Sequence, residues 1–168
     1  LQPPFFNAKA DDAVNYGGIG MVIGHEITHH FDDNGRNFDA IGTLTDWWTP
    51  ADASAYMARA DKVAALYSSY VPVPGTPING RLTLGENIGD NSGIAIAYKA
   101  YKLSLNGKMA PLIDGLSGDQ LFFMGFGQVW LAKMRQAPQL VQIKSDPHAP
   151  GPCRAVTTDN FGTGFRPP

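Results

Sequence analysis

Apolar positions recur at helical spacing along most of this chain. Asn15 to Gly24 is almost free of charge and ends in the apolar run Met21-Val22-Ile23-Gly24 directly before His25, the pattern of a helix buried over most of its circumference. Its glycines each cost about 1 kcal/mol of helicity against Ala, so they predict close backbone packing rather than strong propensity. Asn34-Gly35 offers a left-handed stop, which places this helix at about residues 16–33. Thr49-Pro50 reads as a cap and first helical position, followed by the stripe Tyr56, Met57, Ala60, Val63, Ala64 and Tyr67. The segment Val71-Pro72-Val73-Pro74-Gly75 interrupts the pattern and predicts a loop. A further helix is predicted from about Leu84 to Leu105, and Ser117-Gly118-Asp119-Gln120 has the form of a capping box opening a helix to about Met134. The last thirty or so residues read as loop with a short helix near Leu140. No internal repeat is visible. The fold class is mainly α with long loops.

Composition narrows the function classes. The 168 residues are 43% hydrophobic, enough for a sizeable core, but only 17% charged against about 25% for a typical domain. Surface covered by further protein would account for that deficit. A net charge of −2 offers no basic stripe for nucleic acid. No apolar run approaches the length of about 18 residues needed for a membrane segment, and no signal sequence opens the chain. The single Cys153 has no internal disulfide partner; neighbouring Arg154 could lower its pKa, although an inert thiol is the simpler reading.

The chemistry concentrates at His25-Glu26-Ile27-Thr28-His29. Residues four apart share a helix face, so both imidazoles can reach one zinc ion at about 2.0–2.1 Å with Glu26 beside the water that the metal activates. Taken alone, the same letters also fit two hydrogen-bonded helix histidines. The context that favours metal lies downstream, in Gly85-Glu86-Asn87-Ile88-Gly89-Asp90. Glu86 and Asp90 are again four apart, so one carboxylate can complete a metal shell while the other accepts a hydrogen bond from a ligand imidazole. Two histidines and a glutamate, with a fourth position left for water, compose a catalytic rather than a structural zinc site. The competing reading of Glu86 is a solvated carboxylate at a helix N-terminus.

HEITHHFDDNGRNF, then DWW, then LGENIGD, resembles the neprilysin and endothelin-converting enzyme family of zinc metallopeptidases. The likeness runs from Leu1-Gln2-Pro3-Pro4-Phe5-Phe6 through Leu121-Phe122-Phe123 and Gln128-Val129-Trp130 to His148-Ala149-Pro150-Gly151 and Arg154. It implies a thermolysin-like (gluzincin) helical lobe with one zinc per chain. It further implies His25, His29 and Glu86 as ligands, Glu26 as general base and Asp90 as the carboxylate behind a ligand histidine. His148 is implied as the donor to the oxyanion and Arg154 as a grip on a substrate carbonyl. Phe5, Met21, Val22, Val129 and Trp130 match positions lining a pocket for a large apolar residue after the scissile bond.

The family's proteins are several times longer, and the strand that holds substrate backbone would precede Leu1. The chain therefore reads as a C-terminal catalytic portion, expected to pair with an N-terminal lobe of the same protein. Its expected partners are peptide substrates. The resemblance also implies an extracellular or periplasmic setting, with any membrane anchor outside this chain. An inert zinc-binding, peptide-binding module is the alternative, favoured if the missing strand and lobe are indispensable. Gly89 and Ser92 depart from the family's usual Ala and Gly. His30 points about 100° away from His29 and is expected to be neither ligand nor base. Asp32 and Asp33 could support a ligand or simply solvate a helix end. A calcium loop on Asp32-Asp33-Asn34-Gly35 fails, because its first and twelfth positions would be His30 and Ile41.

Overall fold

A computed structural model describes residues 1–156; the atypical tail Thr157–Pro168 lies outside the described residues. Helix α1 (Asp12–Asn15) runs through a π-helical turn (Tyr16–Gly20) into α2 (Met21–Thr28), which tightens into a 3₁₀ turn (His29–Phe31). A second 3₁₀ turn (Gly35–Asn37) leads to α3 (Pro50–Ser68), α4 (Leu84–Ser104), α5 (Gly118–Val129), α6 (Gln136–Ser145) and α7 (Gly151–Val156). Among the described residues, extended pairing is confined to isolated bridges such as Phe38 with Leu44. The mainly α expectation holds. No described helix is long and apolar enough to cross a membrane.

The main core joins Ala13, Met21, Ile94, Ala97, Tyr101, Phe122 and Phe126, so α1, α2, α4 and α5 bury one another's apolar faces. Burial of a side chain such as Phe122, fully enclosed here, contributes about 1.5–3 kcal/mol. At the crossing of α2 and α4, an added Cβ on Gly24 would lie 2.9 Å from the Gly93 Cα, and one on Gly93 would lie 2.6 Å from the His25 nitrogen. Glycine there lets α4 approach the histidine helix closely enough for their side chains to meet. A second cluster of Tyr67, Ile78, Ala149 and Cys153 fastens the start of α7 to α3, which fixes the segment bearing His148 and Arg154.

Several boundaries differ from the sequence reading. The first helix begins at Asp12, where Asp11 accepts a hydrogen bond from Ala13 at 2.9 Å, and it is not uniformly α-helical. Gly35 is not a left-handed stop: it opens the second 3₁₀ turn, where a Cβ would overlap the His29 carbonyl oxygen. The helix is ended instead by Asp32, whose Oδ1 accepts from the Asn34 and Gly35 amides at 2.9 and 2.6 Å. In α5 the predicted capping box is present, but the helix stops at Val129 and Trp130 caps it. Met57 is exposed rather than part of the α3 stripe. Helix α7 was hidden by Gly151-Pro152, although proline is tolerated in a first helical turn.

Candidate metal centre

Helix α2 carries His25, and the 3₁₀ turn that continues it begins with His29; the two rings lie with centroids 4.6 Å apart and planes perpendicular. The carboxylate of Glu86, in the first turn of α4, meets both: Oε2 is 3.2 Å from His25 Nε2 and Oε1 is 3.6 Å from His29 Nε2. One potential ligand atom from each of the three lies within 4.8 Å of the others. The opposite ring nitrogens are held by carboxylates, Nδ1 of His25 by Asp90 at 2.9 Å and Nδ1 of His29 by Asp32 at 2.7 Å. Such partners fix ring orientation and leave Nε2 as the lone-pair donor.

The donor set fits a divalent ion. Glu86 Oε2 is buried, 3.2 Å from His25 Nε2 and 2.9 Å from His148 Nε2, yet receives a well-aligned hydrogen bond from neither. A buried anionic oxygen without a satisfying donor is costly, and a shared cation resolves it. Glu26 is exposed on the same helix, between the two histidines, and His30 is exposed outside the cluster.

The remaining predicted residues divide. His148 reaches the cluster through its contact with Glu86, and Asp146 clamps it by accepting from both its backbone N–H and its ring Nδ1 at 2.8 Å. Arg154 is buried and gives Nε and Nη2 to the two Asp90 oxygens at 2.6 and 2.7 Å. That bidentate pair commits much of the guanidinium to the protein rather than to substrate. Val22 and Trp130 pack against the main core with half-buried side chains. Val129 is half-buried and Phe5 is 38% exposed. Met21 is different: at 1% exposure it lies within the core and offers no surface to a cleft.

Sequence reasoning missed Asp146 and the full role of Asp32. The Asp146-Pro147-His148 spacing was a usable signal, because aspartate commonly bonds the backbone two residues on. Asp33, by contrast, does not support a ligand; its Oδ1 is buried without a hydrogen-bond partner, and burial pushes its pKa up. Burial also pushes the Cys153 thiol up, which removes the activated-thiol alternative.

Charge coupling at the centre is strong. Burial pulls the His25 pKa down, but the hydrogen bond to Asp90 and the close negative charges of Asp90 and Glu86 outweigh it and raise it to about 9. Burial pushes the Glu86 carboxyl up, but the His25 imidazole and the charges of His148 and His29 bring it below its ordinary value. The metal-free chain therefore gains stability from protonated His25 that is fully present below about pH 6.5 and is lost as pH rises through about 9. Ionised Glu86 contributes above about pH 4.5, and that contribution is lost on further acidification. Chemical denaturation of chelator-treated protein should show lower stability at pH 9.5 than at pH 6. A flat profile across that range would contradict the coupling.

A helix bearing two histidines, completed by a glutamate from a following helix and backed by carboxylates, defines a metallopeptidase-type centre. The profile of peptidase family M13 matches residues 1–166, and the chain belongs to that family. It is 48% identical to human neprilysin over 164 residues, covering 94% of this chain and 22% of neprilysin. With mouse endothelin-converting enzyme 1 the identity is 41% over 175 residues, covering 100% of this chain and 23% of that protein. The fold superposes on an inhibitor-bound zinc metalloprotease of Mycobacterium tuberculosis with a TM-score of 0.93 and 46% identity, covering 98% of this chain and 26% of that one. The chain thus spans about a quarter of the length of these relatives.

Proposed function

We propose that this chain is the catalytic portion of a longer zinc-dependent endopeptidase that cleaves oligopeptides or small proteins on the amino side of large apolar residues. The observation that carries this reading is the convergence of His25 Nε2, His29 Nε2 and Glu86 on one point, with both Nδ1 atoms held by carboxylates. When bound, zinc supplies a Lewis acid that polarises the scissile carbonyl and lowers the pKa of the attacking water towards about 7. Glu26 takes the proton from that water and passes it to the leaving amine. His148, oriented by Asp146, donates to the carbonyl oxygen as negative charge develops there. Asp90 holds His25, and Arg154 anchors a substrate carbonyl from an orientation that Asp90 sets. Val22, Val129, Trp130 and Phe5 supply apolar surface for the residue after the scissile bond. Substrate would approach on the extracellular or periplasmic side, with an N-terminal lobe of the same protein closing over it.

Zinc content and hydrolysis of a quenched-fluorescent peptide library, measured on this chain and on the full-length protein, test the reading. One zinc and turnover are expected in the full-length protein; zinc without turnover would establish the inert module instead. Burying Phe or Leu beside the site stabilises by about 1.5–3 kcal/mol, so a roughly 10–150-fold preference over Gly after the cleaved bond is expected. A library profile favouring Gly or acidic residues there would remove the apolar pocket.

His148 and Arg154 should separate kinetically. His148→Ala should lower kcat by about 10²–10³-fold with little change in KM, because its donor matters most as charge develops. In protein kept saturated with zinc, Arg154→Ala should mainly raise KM, because its contact with substrate is present before and during reaction. Small, equal effects of both changes on both parameters would exclude these roles.

A further inference from the structure

The resemblance gives Trp130 only an apolar wall to form, but its position carries a second task. The Arg154 guanidinium carbon lies 3.9 Å from the centre of the Trp130 ring, close enough for a strong cation–π contact. Arg154 itself is 6% exposed, so little water competes for its charge. The same guanidinium makes two parallel hydrogen bonds to Asp90, and Asp90 Oδ1 in turn holds His25 Nδ1. Trp130 thus closes a line of contacts from the end of α5 to the first histidine of α2.

Backbone packing points the same way. A Cβ on Gly151, the first residue of α7, would lie 2.5 Å from the Trp130 carbonyl oxygen. The helix that carries Arg154 is therefore seated directly on Trp130, by main chain at Gly151 and by ring face at Arg154. Without the indole, the guanidinium loses the ring face that opposes its departure from Asp90, and an Asp90 that rotates no longer fixes the His25 ring.

We propose that Trp130 is a positioning residue for the metal centre: its indole face holds Arg154 against Asp90, and through Asp90 fixes the His25 imidazole for metal binding. The role rests on the metal-centre reading above. It predicts that weakening the ring's negative face loosens the metal even when the shape of the side chain is kept.

The test is the rate at which zinc-loaded full-length protein surrenders its metal to a chromophoric chelator. Fluorinated tryptophans placed at position 130 keep the ring's shape while draining its π charge. Zinc loss should accelerate stepwise with fluorination, by about three- to tenfold for the most fluorinated ring, and by up to about thirtyfold in Trp130→Leu. Trp130→Phe, which keeps a ring face, should stay within about threefold of wild type. In an Asp90→Asn background these differences should vanish, because the line of contacts is already cut. Thermal unfolding of the metal-free protein should not follow the fluorination series, which separates positioning from general packing. A zinc-loss rate flat across the series, or a leucine effect undiminished by Asp90→Asn, would overturn the proposal. The fluorinated series decides the matter even if the leucine variant does not fold. Wild-type protein that binds no zinc would overturn the metal centre itself, and this role with it.

Discussion

Glu26→Gln should leave zinc in place while lowering kcat by about 10²–10⁴-fold in the full-length protein. The amide keeps the size and exposure of the carboxylate on α2, so neither the helix nor the three converging ligand atoms should move. What it loses is the ability to accept a proton from the attacking water and return it to the amine. Metal analysis beside steady-state kinetics checks both halves. Equal kcat in wild type and variant would take the base role away from Glu26, and loss of zinc would mean that the substitution had disturbed the site.

Glu86→Ala should have the opposite signature, removing the metal and everything that depends on it. Among the described residues the carboxylate is the one candidate ligand on α4, and it is the group on which His25, His29 and His148 all bear. With zinc at a hundred times its Kd, wild-type protein should gain about 2.7 kcal/mol of stability from the ion. That gain should be absent in the variant, seen as a melting temperature that no longer responds to added zinc. The variant also removes the negative charge shared by the three imidazoles, so His25 should lose part of its raised affinity for protons. A zinc-dependent melting shift that survives the substitution would show that the ligand set is wrong.

The sequence made the cluster of His25, His29 and Glu86 legible because its members lie on or directly at the end of two regular helices, where spacing decides which side chains share a face. His25, His29, Glu86 and Asp90 all follow that rule. The Asp32 contact with His29 was less visible, because it depends on a 3₁₀ turn that bends the chain back after Thr28. The resemblance puts Met21 in the pocket wall, whereas helix packing turns its side chain into the core, a burial that nearness to His25 along the chain does not reveal. The approach of His148 and Arg154 was not readable from local pattern at all. It arises from the anchoring of Ala149 and Cys153 against Tyr67 and Ile78, contacts between distant parts of the chain that no periodicity announces. Family resemblance supplied those two residues, and tertiary packing explains why they arrive.

The π-helical turn at Tyr16–Gly20 sets a tolerance to insertion and deletion that differs from that of an ordinary helix. Upstream, α1 and the turn are seated on α5; downstream, α2 is seated on α4; each contact fixes the rotation of its own segment. The wide turn absorbs one residue more than an α-helical path would need, and the amide of Ile19 there bonds the Phe5 carbonyl at 2.7 Å instead of following the helical ladder alone. Deleting a single residue from this stretch would tend to restore regular α-helix and leave α1 and α2 in nearly the same relation, because the surplus residue is the one the wide turn takes up. Within α2, between Met21 and His25, no such reserve exists. A deletion there would turn the histidines by about 100° about the helix axis relative to the upstream seats, away from Glu86. The glycine-rich turn is thus the stretch ahead of the metal ligands where the chain can shorten by one residue with the histidines still aimed.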